Sequence, residues 1–254
     1  MRKIEKWISD EELESIYSSS YWNNVEEEKK KGWWIADGNF KKCLELLKQS
    51  RLLEAYKKSE KFLLSFPAKS IIVVDLAAGI GWTTALLSKL PGVMEVRAVE
   101  ISKHRLESLF EHSIKMLSGE GNKIFRYLGS FYDLKFENNS VDVIYMSQAF
   151  HHAAQPLKLL SECDRVLKAN GIIILIGEQY FGIKTIFKKI LSNLFRKGKL
   201  TINFYKMFPP DPILGDHYYR CRDYYSMFGT MGYSVKREYV GNEKVIYVAG
   251  KTGR

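Results

Sequence analysis

The 254-residue chain is 46% hydrophobic and carries a formal net charge of +10, enough length and apolar content for one full core, with no linker-like stretch dividing it. Its three cysteines, Cys43, Cys163 and Cys221, lie far apart without ligand spacing, which argues against disulfides and structural zinc, and no metal ligand is expected. No apolar run approaches a signal core or a membrane span, so a cytoplasmic protein is expected.

Residues 1–69 read as a helical extension or cap. Ser9 with Glu12 makes a capping box, and Asn39 caps a helix bearing Phe40, Cys43, Leu44 and Leu47. Between them lies an aromatic segment, 17–34, with Tyr21, Trp22, Trp33 and Trp34. The second unit, 70–254, opens with residues 71–74, a continuously apolar β-branched run that reads as a strand buried on both faces of a parallel sheet. Asp75 ends it, and Gly79 and Gly81 allow a tight turn and close approach of a ligand to the backbone before the next helix begins. In an open α/β sheet such a carboxyl-end crevice binds ligands. The dinucleotide fingerprint fails here, because Thr84 occupies its third small position.

Residues 94–99 form a second strand closed by Glu100, near the spacing of about 20 residues at which nucleotide-binding folds place an acid on the ribose hydroxyls. A helix capped by Ser102 runs to about residue 117. A third strand, 124–128, leads into Gly129-Ser130-Phe131-Tyr132-Asp133-Leu134-Lys135-Phe136, and the turn 138–140 enters a fourth strand, 141–146. Pro156 opens a helix to about 167, and Asn170-Gly171 turns the chain into a fifth strand, 172–176. The insertion 179–222 holds a basic amphipathic helix, 183–199, with Ile183, Ile186, Phe187, Ile190, Leu191, Leu194 and Phe195 on one face and lysines on the rest. It reads either as a lid, apolar face down on the active site, or as a contact with a membrane interface. Residues 233–240 and 244–249 form a terminal hairpin.

Asp75-Leu76-Ala77-Ala78-Gly79-Ile80-Gly81 resembles motif I, D/E-x-G-x-G-x-G, of class I S-adenosylmethionine-dependent methyltransferases, with Ala77 in place of the first glycine. The segment after the third strand resembles the family's G-D-A-x-D-L-P-F, with Ser130 at the acid's position. Ser147-Gln148-Ala149-Phe150-His151-His152-Ala153-Ala154-Gln155-Pro156-Leu157 is similar to the S-x-A-L-H-H-x-x-D-P-L of the small-molecule branch that includes ubiquinone, sterol and natural-product enzymes. The resemblance implies an α/β, Rossmann-like, doubly wound, seven-stranded, mostly parallel sheet with an antiparallel C-terminal hairpin, a helical N-terminal extension and a helical lid insertion. It implies S-adenosyl-L-methionine as cofactor and S-adenosyl-L-homocysteine as product, held by Asp75, Ala77, Gly79, Gly81, Glu100, Ile101, Ser130, Phe131, Met146 and Ser147, with Tyr21 or Trp22 folding over it.

A sulfonium donor already activates its methyl group, so a methyltransferase mainly aligns the acceptor and removes a proton when the acceptor is a hydroxyl. His152 is the first candidate base, followed by His151 and His217, since imidazole titrates near neutrality. Glu178 and Tyr218 or Tyr219 are candidates to orient the acceptor. The positive charge suits an anionic or lipid-linked small molecule. An RNA methyltransferase and a non-catalytic S-adenosylmethionine-binding accessory protein stand as alternatives. Nucleic acid is disfavoured, because the N/D-P-P-Y tetrad of base-methylating enzymes does not follow the fourth strand.

Overall fold

The computed structural model describes residues 2–19, 39–197, 200–211, 215–241 and 244–252. Its sheet has the order β1-β4-β3-β2-β5-β6-β8-β7, with β1 at Glu5–Lys6, β2 at Ile71–Leu76, β3 at Val93–Glu100, β4 at Ile124–Leu128, β5 at Val141–Ser147, β6 at Leu167–Gln179, β7 at Tyr233–Val240 and β8 at Lys244–Lys251. The strands from β1 to β6 pair in parallel, and β8 runs antiparallel to both β6 and β7. The order reverses between β2 and β5, and this switch point opens the crevice in which doubly wound folds bind ligands.

Helices cover both faces. Around β2 lie α1 (Asp10–Ser19), α2 (Phe40–Gln49), α3 (Leu52–Leu64) and α4 (Trp82–Ser88). A π-helical turn, Arg105–Leu109, leads into α5 (Phe110–Met116). After β5 come α6 (Pro156–Val166), α7 (Ile183–Lys197), α8 (Phe204–Met207) and α9 (Cys221–Thr230). One core layer packs Leu159, Leu160, Cys163, Tyr224 and Phe228 of α6 and α9 on the sheet. The opposite layer joins Leu47, Tyr56 and Leu63 of α2 and α3 to Val73, Tyr145 and Ile174. Ser59 and Tyr145 complete that contact with a buried hydroxyl pair 2.8 Å apart, so the N-terminal helices pack against the central sheet.

Local signals explain several boundaries. Ser9 Oγ accepts from Glu12 N–H while Glu12 accepts from Ser9 N–H, the reciprocal capping box, and Asn39 Oδ1 accepts from Lys42 N–H at the start of α2.

The fold departs from expectation in three places. It has eight strands among the described residues rather than seven, because Glu5 and Lys6 pair with Tyr127 and Leu128. That pair has no strand pattern of its own; Trp7 holds it, its ring tilted against Tyr127 at 4.5 Å and edge-on to Phe136 at 4.8 Å between ring centroids. β6 begins at Leu167, so Asn170-Gly171 lies inside a strand rather than in a turn. There the register shifts against β5, and a Cβ on Gly171 would stand 2.5 Å from the Leu167 side chain, the close approach that a glycine in an irregular strand permits. The helix after Ser102 starts as a π turn before it becomes α-helical.

The insertion helix α7 forms at Ile183–Lys197, but it is not a lid with its apolar face on the site. Ile183, Phe187, Leu194 and Phe195 are exposed, and Leu200 and Ile202 beyond it are exposed as well. None of the described residues of α7 lines the cavities described below.

Candidate active site

The loop after β2 is shaped by backbone conformations that favour glycine. Ala77, Gly79 and Gly81 all have positive φ, at 52°, 57° and 78°, so the replacement of motif I's first glycine by Ala77 places an alanine where a left-handed residue is required. A Cβ on Gly79 would meet nothing within 4 Å, which leaves bare backbone facing open space. Glu100, at the end of β3, holds the loop: its Oε2 accepts from Gly79 N–H at 2.7 Å, and its Oε1 accepts from Ile101 and Ser102 N–H at 2.9 and 2.8 Å.

Asp75 behaves differently from a ligand-facing acid. It is buried, its Oδ2 accepts from the Thr83 and Thr84 hydroxyls at 2.7 and 2.6 Å, and it is absent from the walls of both cavities. Thr83 and Thr84 open the next helix, so Asp75 ties the strand end to the helix start beneath the loop. Burial pushes its carboxyl up to about 6 from the ordinary 3.8, against the pull of the two hydroxyls. An acid raised in the folded state binds its proton more tightly folded than unfolded, so the fold loses stability as pH climbs from about 4 to about 6 and stays lower above that. Asp75→Asn keeps an acceptor for the threonines and removes the charge. Melting curves are expected to show wild type losing on the order of 2–3 kcal/mol relative to this variant between pH 4 and 7; a difference that stays flat with pH would contradict the assignment.

Two cavities meet over this loop. The larger, about 390 Å³, is lined by Ala77, Gly79, Thr83, Glu100, Ile101, Phe131, Ser147, Gln148, His151, His152, Gln179 and Asp216, with Leu47 and Leu52 of the N-terminal helices. The smaller, about 290 Å³, is bounded by Ile16, Ala77, Glu100, Ile101, Ser130, Phe131 and Tyr132. Both sizes fall near the range of small-molecule pockets. Ala77, Glu100, Ile101 and Phe131 line both, so the two cavities adjoin. Ser130 Oγ accepts from Tyr132 N–H at 3.1 Å, a turn bond that shapes the smaller end.

The far end of the larger cavity carries the titratable groups. His151 and His152 sit in a 3₁₀ turn after β5, and Asp216 comes from the insertion. Fully buried Glu178, near the end of β6, accepts from the Tyr224 hydroxyl at 2.6 Å and lies 2.9 Å from His151 Nδ1. Burial opposes charge on both members of that pair, yet their mutual attraction wins: His151 is held above the usual imidazole value and Glu178 below the usual carboxylate value. His152 Nδ1 stands 2.9 Å from Asp216 Oδ1, and burial holds His152 below its ordinary value despite that carboxylate.

Of the residues singled out from sequence, Ala77, Gly79, Glu100, Ile101, Ser130, Phe131, Ser147, His151 and His152 line these cavities. Gly81 shapes the loop from behind. Met146 is wholly buried in the core, and His217 contributes a backbone N–H to His151 O at 2.8 Å, its ring stacking on Tyr219. Tyr21 and Trp22 lie outside the described residues. Asp216, Gln148 and Gln179 were not foreseen. Gln148 has φ 50°, a strained backbone at the cavity wall of the kind that clusters at functional sites.

A protein-family model described as a methyltransferase domain matches residues 74–175. The sarcosine/dimethylglycine N-methyltransferase of Aphanothece halophytica is 34% identical over 99 residues, 39% of this chain and 35% of that one. The demethylmenaquinone methyltransferase of Bacillus pumilus is 28% identical over 145 residues, 54% of this chain and 60% of that one. The chain thus spans between about a third and three fifths of these curated relatives. A solved structure of an S-adenosylmethionine-dependent methyltransferase from Aquifex aeolicus shares the fold, with a TM-score of 0.52, 19% identity and coverage of 80% of this chain and 96% of that one. Family model, glycine loop and strand order agree in frame: residues 74–175 match a methyltransferase domain, carried on a doubly wound, mostly parallel sheet.

Proposed function

We propose that the protein transfers a methyl group from S-adenosylmethionine to a hydroxyl of a small-molecule acceptor. The observation that carries this reading is the single space running from the bare backbone of Gly79 to His151, His152 and Asp216. The residues present fit the donor: Gly79 offers an approach that a Cβ would fill, Glu100 Oε2 retains a lone pair for a ribose hydroxyl, and the apolar walls of the smaller end, Ile101 and Phe131, suit a planar base. When bound, S-adenosylmethionine supplies an electrophilic methyl carbon.

The chain's own residues do the rest. Ser147 and Gln148 hold the wall between the glycine loop and the histidines, and Gln179 borders the acceptor end. His152, held by Asp216, is placed to take the acceptor's proton, while Glu178 and Tyr224 fix His151 behind it. His152→Ala is expected to lower kcat by about 100-fold, the lower range for a lost general base, with S-adenosylmethionine affinity unchanged. Transfer from labelled donor into acceptor fractions, alongside calorimetry, checks both halves. Donor binding with no transfer to any fraction would favour the accessory reading, and RNA binding that weakens steeply with salt would favour an RNA substrate.

The exposed apolar residues of α7, interleaved with Lys184, Lys188 and Lys189, favour a second feature of the acceptor's surroundings: an anionic lipid surface from which a lipid-linked substrate is drawn. A basic residue near such a surface contributes about 1 kcal/mol. Lys188→Gln with Lys189→Gln is therefore expected to weaken partition onto anionic vesicles by about 30-fold, and unchanged partition would remove the idea.

A further inference from the structure

We propose that His151, His152 and Asp216 form a binding site for a first-row divalent cation at the acceptor end of the cavity. Nothing in the sequence spacing suggests it, since the insertion brings Asp216 back to the two adjacent histidines. One ligand atom from each residue lies within 4.8 Å of the other two. Asp216 Oδ1 is 2.9 Å from His152 Nδ1 and 4.0 Å from His151 Nε2. Donors that each stand about 2.1 Å from one ion are about 3 to 4 Å from each other, so sub-ångström adjustment completes the set.

The surroundings are those of a ligating histidine. Its ring nitrogen away from the ion is ordinarily held by a carboxylate, which fixes the tautomer and aims the other nitrogen. Here Glu178 holds His151 Nδ1 at 2.9 Å, and Tyr224 in turn holds Glu178 at 2.6 Å, leaving Nε2 directed at Asp216. Backbone bonds place the incoming loop: His217 N–H donates to His151 O at 2.8 Å, and Asp211 N–H donates to Asp216 O at 2.9 Å. Two imidazoles with one carboxylate suit zinc, iron, cobalt or nickel better than magnesium. Three protein ligands leave coordination positions open on the cavity side, where a hydroxyl or a chelating pair of oxygens can bind and lose its proton more readily. The catalytic use of the ion rests on the methyl-transfer reading; the binding of the ion does not.

The test uses the full chain, stripped with a chelator and titrated with Co²⁺ while its visible absorption is recorded. The expected result is one equivalent bound with ligand-field bands, lost in His152→Ala and in Asp216→Asn. Glu178→Gln is expected to weaken binding by about 10- to 100-fold, with far-ultraviolet circular dichroism unchanged in all three. Absence of stoichiometric binding would overturn the proposal, as would binding that survives both His152→Ala and Asp216→Asn. The conservative asparagine keeps the question open to decision if the alanine variant fails to fold. Because the readout needs neither donor nor acceptor, failure of methyl transfer leaves this result interpretable.

Discussion

Glu100→Gln is expected to weaken S-adenosylmethionine binding by about 1,000-fold while the fold persists. Both carboxylate oxygens are engaged, Oε2 by Gly79 N–H and Oε1 by Ile101 and Ser102 N–H. An amide in their place must turn its NH₂ toward one of these donors, whichever way it is set. A buried N–H left facing a donor costs about 1–3 kcal/mol, and a hydrogen bond to a charged partner is worth about 1.5–3 kcal/mol, so loop distortion and a lost ribose contact together reach about 4 kcal/mol. Because the damage falls on the glycine loop and on the two cavities that Glu100 borders, donor affinity drops far more than stability. Calorimetric titration of wild type and variant measures it. Affinity reduced only a few-fold, with the variant folded, would mean that the carboxylate organises the loop without meeting the ligand.

The second large effect is on folding. Gly81→Val is expected to destabilise the protein by about 2–5 kcal/mol. Gly81 has φ 78°, and its Cβ would stand 2.4 Å from a ring carbon of Phe110. The left-handed conformation costs a β-carbon residue about 1–2 kcal/mol, and forcing volume into a packed core costs about 1–3 kcal/mol. Phe110 cannot retreat easily, being fully buried among Ala85, Leu106 and Ile114. The contact also shows why this position needs glycine: the helix that follows the loop is packed on α5 through the bare face of Gly81. Denaturant unfolding with an unchanged m-value and a lowered midpoint checks the prediction, and a midpoint within error of wild type would contradict it.

Where chemistry follows from a residue's place in a local pattern, the sequence was legible. The run that becomes β2 is apolar and β-branched and leads into a glycine loop, so strand, turn and helix could be read together, and Glu100 falls at the end of the next strand for the same reason. The capping groups of α1 and α2 are local too, each closing within three residues. What stayed hidden depends on contacts between distant segments. Strand β1 exists because Trp7 finds Tyr127 and Phe136, and no pattern in Glu5-Lys6 announces it. The periodicity of α7 gave its bounds but not its exposure, because an amphipathic face looks the same whether or not something covers it. Asp75 reads as a motif acid, yet its partners are Thr83 and Thr84 beneath the loop. Asp216 carries no signal at all until the insertion folds back onto His151 and His152.

The central claim is that the space over Gly79 and Glu100 is a methyl-donor site. Isothermal titration of the full chain with S-adenosylhomocysteine tests it without knowledge of the acceptor. One saturable site, weakened by Glu100→Gln, is the expected result; no saturable binding by the folded protein would contradict the account.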